Sequence, residues 1–126
     1  MALTLSTNAR NAACNGVVDL IDAGSAAGKL KIFTAAAAQL CENEFDDPAF
    51  GDATTGVATA GTIVNGTATD TGTAAVATIT DSDDTDVITG LVVGAGSGDV
   101  SLNSVSITTA DVISITSMTV TMPASA

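Results

Sequence analysis

The sequence predicts a mainly β fold: an N-terminal α-helix packed on an antiparallel β-sandwich. Three observations predict it. One segment near the start has helical periodicity, the composition after residue 28 turns to Thr, Ser, Val, Ile and Gly, and turn signals recur at spacings typical of sandwiches. The 126 residues suit one domain, read as an N-terminal arm over 1–7 and a single helix-plus-sandwich body over 8–126. Its core is thin, because alanine supplies 23 of the hydrophobic residues and three Phe stand beside no Tyr and no Trp.

The helix is expected from Asn8 to Ala23. Asn8, Asn11, Asn15, Asp19 and Asp22 recur at spacings of three and four, which puts them on one polar arc. Ala9, Ala13, Val17, Leu20 and Ile21 form the opposing stripe, expected to be buried. Ser6 or Thr7 can cap the start through its hydroxyl, and Gly24 can end the helix in the left-handed conformation. Arg10 falls within the apolar stripe, where it must snorkel, pair with a carboxylate or meet a partner.

Strands are expected at Lys29–Thr34, Leu40–Phe45, Gly56–Val64, Gly72–Thr80, Asp86–Val93, Val100–Ile107 and Val112–Met122. In the last, Ile113 and Ile115 lie on one phase and Met118, Val120 and Met122 on the other, so a bulge or bend is expected near Ser117. The loops carry backbone reasons for turning: Gly and Asn at Asn65-Gly66 and Gly94-Ala95-Gly96-Ser97-Gly98 tolerate positive φ, and Asp bonds its own backbone. The glycine-rich loop lacks a phosphate-loop Lys and reads as a flexible connection. Asp81-Ser82-Asp83-Asp84-Thr85-Asp86 reads as a solvated hairpin tip, since Thr85, Asp86 and Val92 stand where a calcium loop needs an acid or amide, Gly and Glu. Asn65-Gly66-Thr67 fits a glycosylation triplet, which matters only for a secreted eukaryotic product.

Charge excludes more than it suggests. There is no His, and Arg10, Lys29 and Lys31 are the only bases against 14 acids, for a net charge of −11. General acid–base chemistry near neutral pH and imidazole ligation lose their usual agents, so no enzyme, no cofactor and no metal are expected. From residue 32 onward there are twelve acids and no base, which repels nucleic acid and an anionic membrane surface alike. No apolar window approaches a membrane span, and the start shows no secretory signal, which points to synthesis in the cytosol. Cys14 and Cys41 belong to no CxxC pair; they are either two buried thiols or a cross-link, within or between subunits, formed outside the reducing cytosol.

The order of motifs along nearly the whole chain resembles that of small head decoration (cement) proteins, structural components of tailed-bacteriophage virions. Leu3-Thr4-Leu5-Ser6-Thr7 with Ala9-Arg10-Asn11-Ala12 opens the helix, followed by Leu30-Lys31-Ile32-Phe33, then Asp47-Pro48-Ala49-Phe50-Gly51 and Gly56-Val57-Ala58-Thr59-Ala60. Asp81-Ser82-Asp83, Gly98-Asp99 with Ser101-Leu102-Asn103, and Ile115-Thr116-Ser117-Met118-Thr119-Val120-Thr121-Met122-Pro123 follow. Glu42 and Glu44 depart from the more apolar strand of such chains, and the middle lacks their aromatic residues. The resemblance implies a capsid-stabilising protein on the outer head surface of the virion. Its implied partners are the major capsid protein and itself, as a homotrimer. A neck, collar or tail component is the alternative, and a small fibre or adhesin module is third. The contacts implied are the arm (Leu3, Leu5), the helix edge at Arg10, and the Asp46–Gly51 loop (Pro48, Phe50).

Overall fold

The computed structural model describes residues 4–46 and 48–122. Helix α1 spans Thr7–Ile21, and the Ser6 hydroxyl accepts from the Ala9 amide at 3.1 Å, as a capping side chain should. The helix stops at Asp22, and Gly24 is absent from the positive-φ residues. Its use is spatial, because a Cβ there would run into the Ser82 side chain.

The buried face of α1 differs from the expected one. Cys14, Val18 and Ile21 are buried, Val17 is half-buried, and Ala9, Ala13 and Leu20 are exposed, Leu20 by 56%. The helix is turned by about a quarter-turn from the expectation. The polar arc explains the rotation: Asn11, Asn15 and Asp22 point at the protein's own backbone and accept from the amides of Gly56, Ala53 and Ala49.

The strands are β1 Lys29–Phe33, β2 Gln39–Glu44, β3 Val57–Thr59, β4 Gly66–Thr67, β5 Gly72–Thr73 and β6 Val76–Thr80. They continue with β7 Asp86–Ala95, β8 Val100–Leu102, β9 Ser106–Ile107, β10 Val112–Ile113 and β11 Ile115–Thr121. A seven-stranded sheet has the order β2-β1-β6-β7-β8-β11-β3, and β10-β4 and β5-β9 form two small ladders. The architecture is therefore mainly β and mostly antiparallel, with the N-terminal helix packed on the sheet. The bulge expected near Ser117 is present, as a register shift between Ile115 and Ser117.

Four expected strands are interrupted. Gly56–Val64 is a strand only at β3. Beyond it the chain crosses to the other edge of the sheet, where bonds from Asp46 N to Thr62 O, Val64 N to Glu44 O and Thr69 N to Leu40 O lay residues 62–69 along β2. Asn65-Gly66 is therefore no hairpin turn but the entry to β4. Gly66 is needed there because a Cβ would stand 2.7 Å from the Cys41 sulfur. Since β3 and β2 are the outermost strands, the continuous segment 57–69 forms one edge, runs along the other and so curls the sheet back on itself. The other breaks fall at residues 74–75 and 103–105, where the Ala74 amide bonds Val105 O and the Ala75 amide bonds Phe33 O, and at residue 114, where the expected Val112–Met122 strand divides into β10 and β11 of different sheets.

The core inside this curl is aliphatic. Leu30, Ile32, Leu40, Ile79, Val100 and Ile107 are fully or almost fully buried, with Phe45 and Phe50 in ring contact at 5.5 Å. Asn43, Thr80 and Ser101 are polar residues buried among the described residues; Asn43 donates to Val64 O and Ile113 O at 3.1 and 3.0 Å and accepts from the Cys41 thiol. It joins β2 to the β4/β10 ladder, and its satisfied amide makes burial tolerable.

The parallel pair β7/β8 needs an unusual connection. The chain reverses after Ala95, pairs Gly98 antiparallel to Val93, and reverses again to bring Val100 beside Val93 in parallel. Gly96 and Gly98 supply φ of 74° and 84° for the two reversals. Asp99 closes the loop, donating its amide to Val92 O and accepting from Val92 N. The glycine-rich segment is thus a hydrogen-bonded double turn rather than a loose connection.

Candidate functional site

The polar arc of α1 fixes the adjoining loop, residues 49–56. Asp22 accepts from Ala49 N at 3.0 and 3.3 Å, Asn15 from Ala53 N at 2.8 Å and Asn11 from Gly56 N at 2.8 Å. Arg10 completes the clamp, donating through Nη2 to Thr55 O at 2.8 Å and through Nε to Met122 O at 3.3 Å. The backbone there needs such support: Thr55 and Gly56 both have positive φ, and a Cβ on Gly56 would stand 2.7 Å from Nη2. The result is a preformed loop held against a helix whose Ala9, Ala13 and Leu20 face outward.

The residues singled out in the sequence separate into different roles. Leu3 and Asp47 lie outside the described residues, and Leu5 is half-buried. Pro48 is exposed at the start of the clamped loop. Phe50 is 6% exposed and packs on Phe45, so it is a core residue and not a contact residue. Arg10 donates to two carbonyls of its own chain and so braces the loop and the end of β11.

Cys14 and Cys41 are free and fully buried in separate places, the first of the two alternatives the sequence left open. The Cys14 thiol lies under α1 and donates to Val120 O at 3.4 Å, whereas Cys41 donates to Asn43 Oδ1 at 3.1 Å. Burial pushes the Cys41 thiol above its ordinary pKa, and the Glu42 carboxylate pushes the same way against an opposing backbone hydrogen bond from Glu42. Neither thiol is exposed to a partner subunit.

The Asp81–Asp86 hairpin tip is wired into the fold. Asp81 accepts from the amides of Asp83 and Thr85, and Asp84 takes hydrogen bonds from both Lys29 and Lys31, at 3.1 and 2.9 Å. The two ammonium groups hold the Asp84 carboxyl below the usual carboxylate range, and Asp84 in turn raises Lys29. Asp84 reaches this position with φ of 66°. The sequence hint was that Lys29 and Lys31 share a strand phase; the carboxylate that would meet them had no signal. Among the described residues no three His, Cys, Asp or Glu side chains stand together as metal ligands.

Two small concavities remain. One of about 170 Å³ lies among Leu102, Asn103, Ser106, Asp111 and Ser114, where the Asp111 carboxylate accepts from the Thr108 amide at 2.9 Å. The other, about 190 Å³, is lined by Ile63, Ile115, Met118, Thr59 and Thr119 and carries no ionisable group. The chain matches no protein-family model, and no curated protein or solved structure shows significant similarity to it.

Proposed function

We propose that the protein is a structural component of a tailed-phage virion, a decoration protein that binds the outer surface of the mature head shell and bridges its capsid subunits. The observation that carries this reading is the pairing of an outward apolar helix face with a loop already fixed in shape by Asn11, Asn15, Asp22 and Arg10. A preformed surface loses little conformational entropy on docking, which suits one weak contact repeated many times over a lattice. The resemblance in motif order supports the same reading, and the net charge of −11 disfavours a packaged nucleic acid as partner. Binding only the matured arrangement raises the free energy needed to separate capsid subunits, by linkage.

The test is cosedimentation with expanded, undecorated shells. The protein should pellet with them, raise their disruption temperature and leave DNA mobility unchanged at low salt. Leu20→Asp, placed on the exposed helix face, should weaken pelleting while the isolated variant melts as the parent does. Density found only along the tail would move the protein to the alternative station, and failure to bind any particle would reject the reading.

A further inference from the structure

An Asn loses its side-chain amide most readily when Gly follows it, because a residue without a Cβ leaves its own backbone nitrogen free to approach the Asn carboxamide carbon. The chain holds two such pairs, Asn15-Gly16 and Asn65-Gly66. Asn15 lies inside α1, so the Gly16 amide belongs to the helical ladder, and Asn15 Oδ1 is fixed by the Ala53 amide at 2.8 Å.

Asn65 is placed differently. It is exposed and precedes β4 rather than belonging to it. Its Oδ1 accepts from the Ser114 hydroxyl at 2.9 Å, a bond at the surface that draws electrons from Cγ. The Gly66 amide is held, since the register of Gly66 with Ile113, in phase with the bond from Ala68 N to Asp111 O, makes them a hydrogen-bonded pair. That ladder is only two residues long on each strand, and short surface ladders open at low cost in free energy.

We infer that Asn65 is a site of spontaneous deamidation, gated by opening of the β4/β10 ladder. With the ladder open, the Gly66 nitrogen gives its proton to solvent and bonds to Asn65 Cγ; the Cγ–Nδ2 bond breaks, and the amide nitrogen takes up a proton and leaves as ammonia. Water then opens the five-membered imide at either carbonyl, giving aspartate or isoaspartate. Both products add a carboxylate to a net charge of −11, but they differ in their effect on the fold. Isoaspartate inserts one more carbon into the main chain directly before Gly66, where even a Cβ would stand 2.5 Å from Glu42 O and 2.7 Å from Cys41 Sγ. The backbone has no room to absorb it there, so β4 lifts from β2 and uncovers the buried Cys41 thiol. The inference is independent of the proposed function.

Peptide mapping by mass spectrometry of protein aged at mildly alkaline pH tests it. The folded protein should show the amide-to-acid mass change at Asn65 and not at Asn15, while chain aged in denaturant should show it at both. The folded rate at Asn65 should lie below the denatured rate by the factor that hydrogen exchange at Gly66 reports for opening. Under native conditions Cys41 should become reactive to an alkylating reagent in the isoaspartate fraction alone. Asn65→Gln, which would need a six-membered ring, should age without change. Asn65→Asp should keep Cys41 buried, which separates the added charge from the added carbon. Conversion of Asn15 as fast as Asn65 in the folded protein overturns the inference, as does an intact Asn65 after the time that opening at Gly66 predicts. A folded rate equal to the denatured one overturns the gate, and an unreactive Cys41 in the isoaspartate fraction overturns the lifting of β4.

Discussion

Leu20 is 56% exposed and Ile21, the next residue, is fully buried, so the two test the seating of α1 directly. Leu20→Asp is expected to leave the melting temperature of the isolated protein unchanged. Ile21→Ala, which empties a site in contact distance of Gly28, should cost about 2–5 kcal/mol in denaturant unfolding. The sequence showed that a helix was present but not which way it faced. Hydrophobic periodicity counts Ala9 and Ala13 as equal to larger residues, although burying an alanine contributes little. It also treats Asn and Asp as solvent-facing, whereas here they serve as acceptors for backbone amides. Asn43 was missed for the same reason: a polar residue on the inward phase of a strand reads as exposed until both its carbonyl partners, from Val64 and Ile113, are known.

At the scale of elements, the α1–loop clamp and the double turn make the sharpest predictions. Asn11→Ala leaves the buried Gly56 amide without its acceptor, and should cost about 1–3 kcal/mol while speeding hydrogen exchange at Gly56 and its loop neighbours. Gly98→Ala combines a φ of 84° with a Cβ 2.8 Å from Val92 O, so it should destabilise by more than the ~1 kcal/mol of a strained residue alone, measured as a lowered denaturant midpoint. The strands β1, β2 and β7 were legible in position to within two residues at each end. The Gly56–Val64 strand was not, because its second half pairs with β2 across the curl rather than continuing beside β11. No local pattern records that change of partner, and the bulge near Ser117 was readable only because two apolar phases collided within one strand.

For the whole molecule, the electrostatics predict two pH limits from one clasp. Asp84 has a lowered folded pKa, so its contribution is present above the unfolded carboxylate pKa and is lost as pH falls through the folded value. Lys29 has a raised one, so its contribution is full below the unfolded lysine pKa and is lost as pH rises through the folded value. Both groups are solvent-accessible, so the effect is small. Asp84→Asn should flatten both limbs of a melting-temperature profile against pH, and an unchanged profile would exclude the clasp as their source. The curled sheet has a further consequence, for the order in which the molecule can be made. β11 comes last along the chain, yet it does not sit at an edge: it is inserted between β8 and β3. It is also where Cys14 and Arg10 anchor the first element, across sequence separations of 106 and 112 residues. Until β11 is free of the ribosome, the emerging chain has a slot in its sheet, and its helix can lie on β3, β7 and the 49–56 loop but lacks its contacts to Val120 and Met122. Completion of the sheet is therefore expected late, and stopped-flow refolding should be slow for a chain of this length, as pairing between distant residues requires.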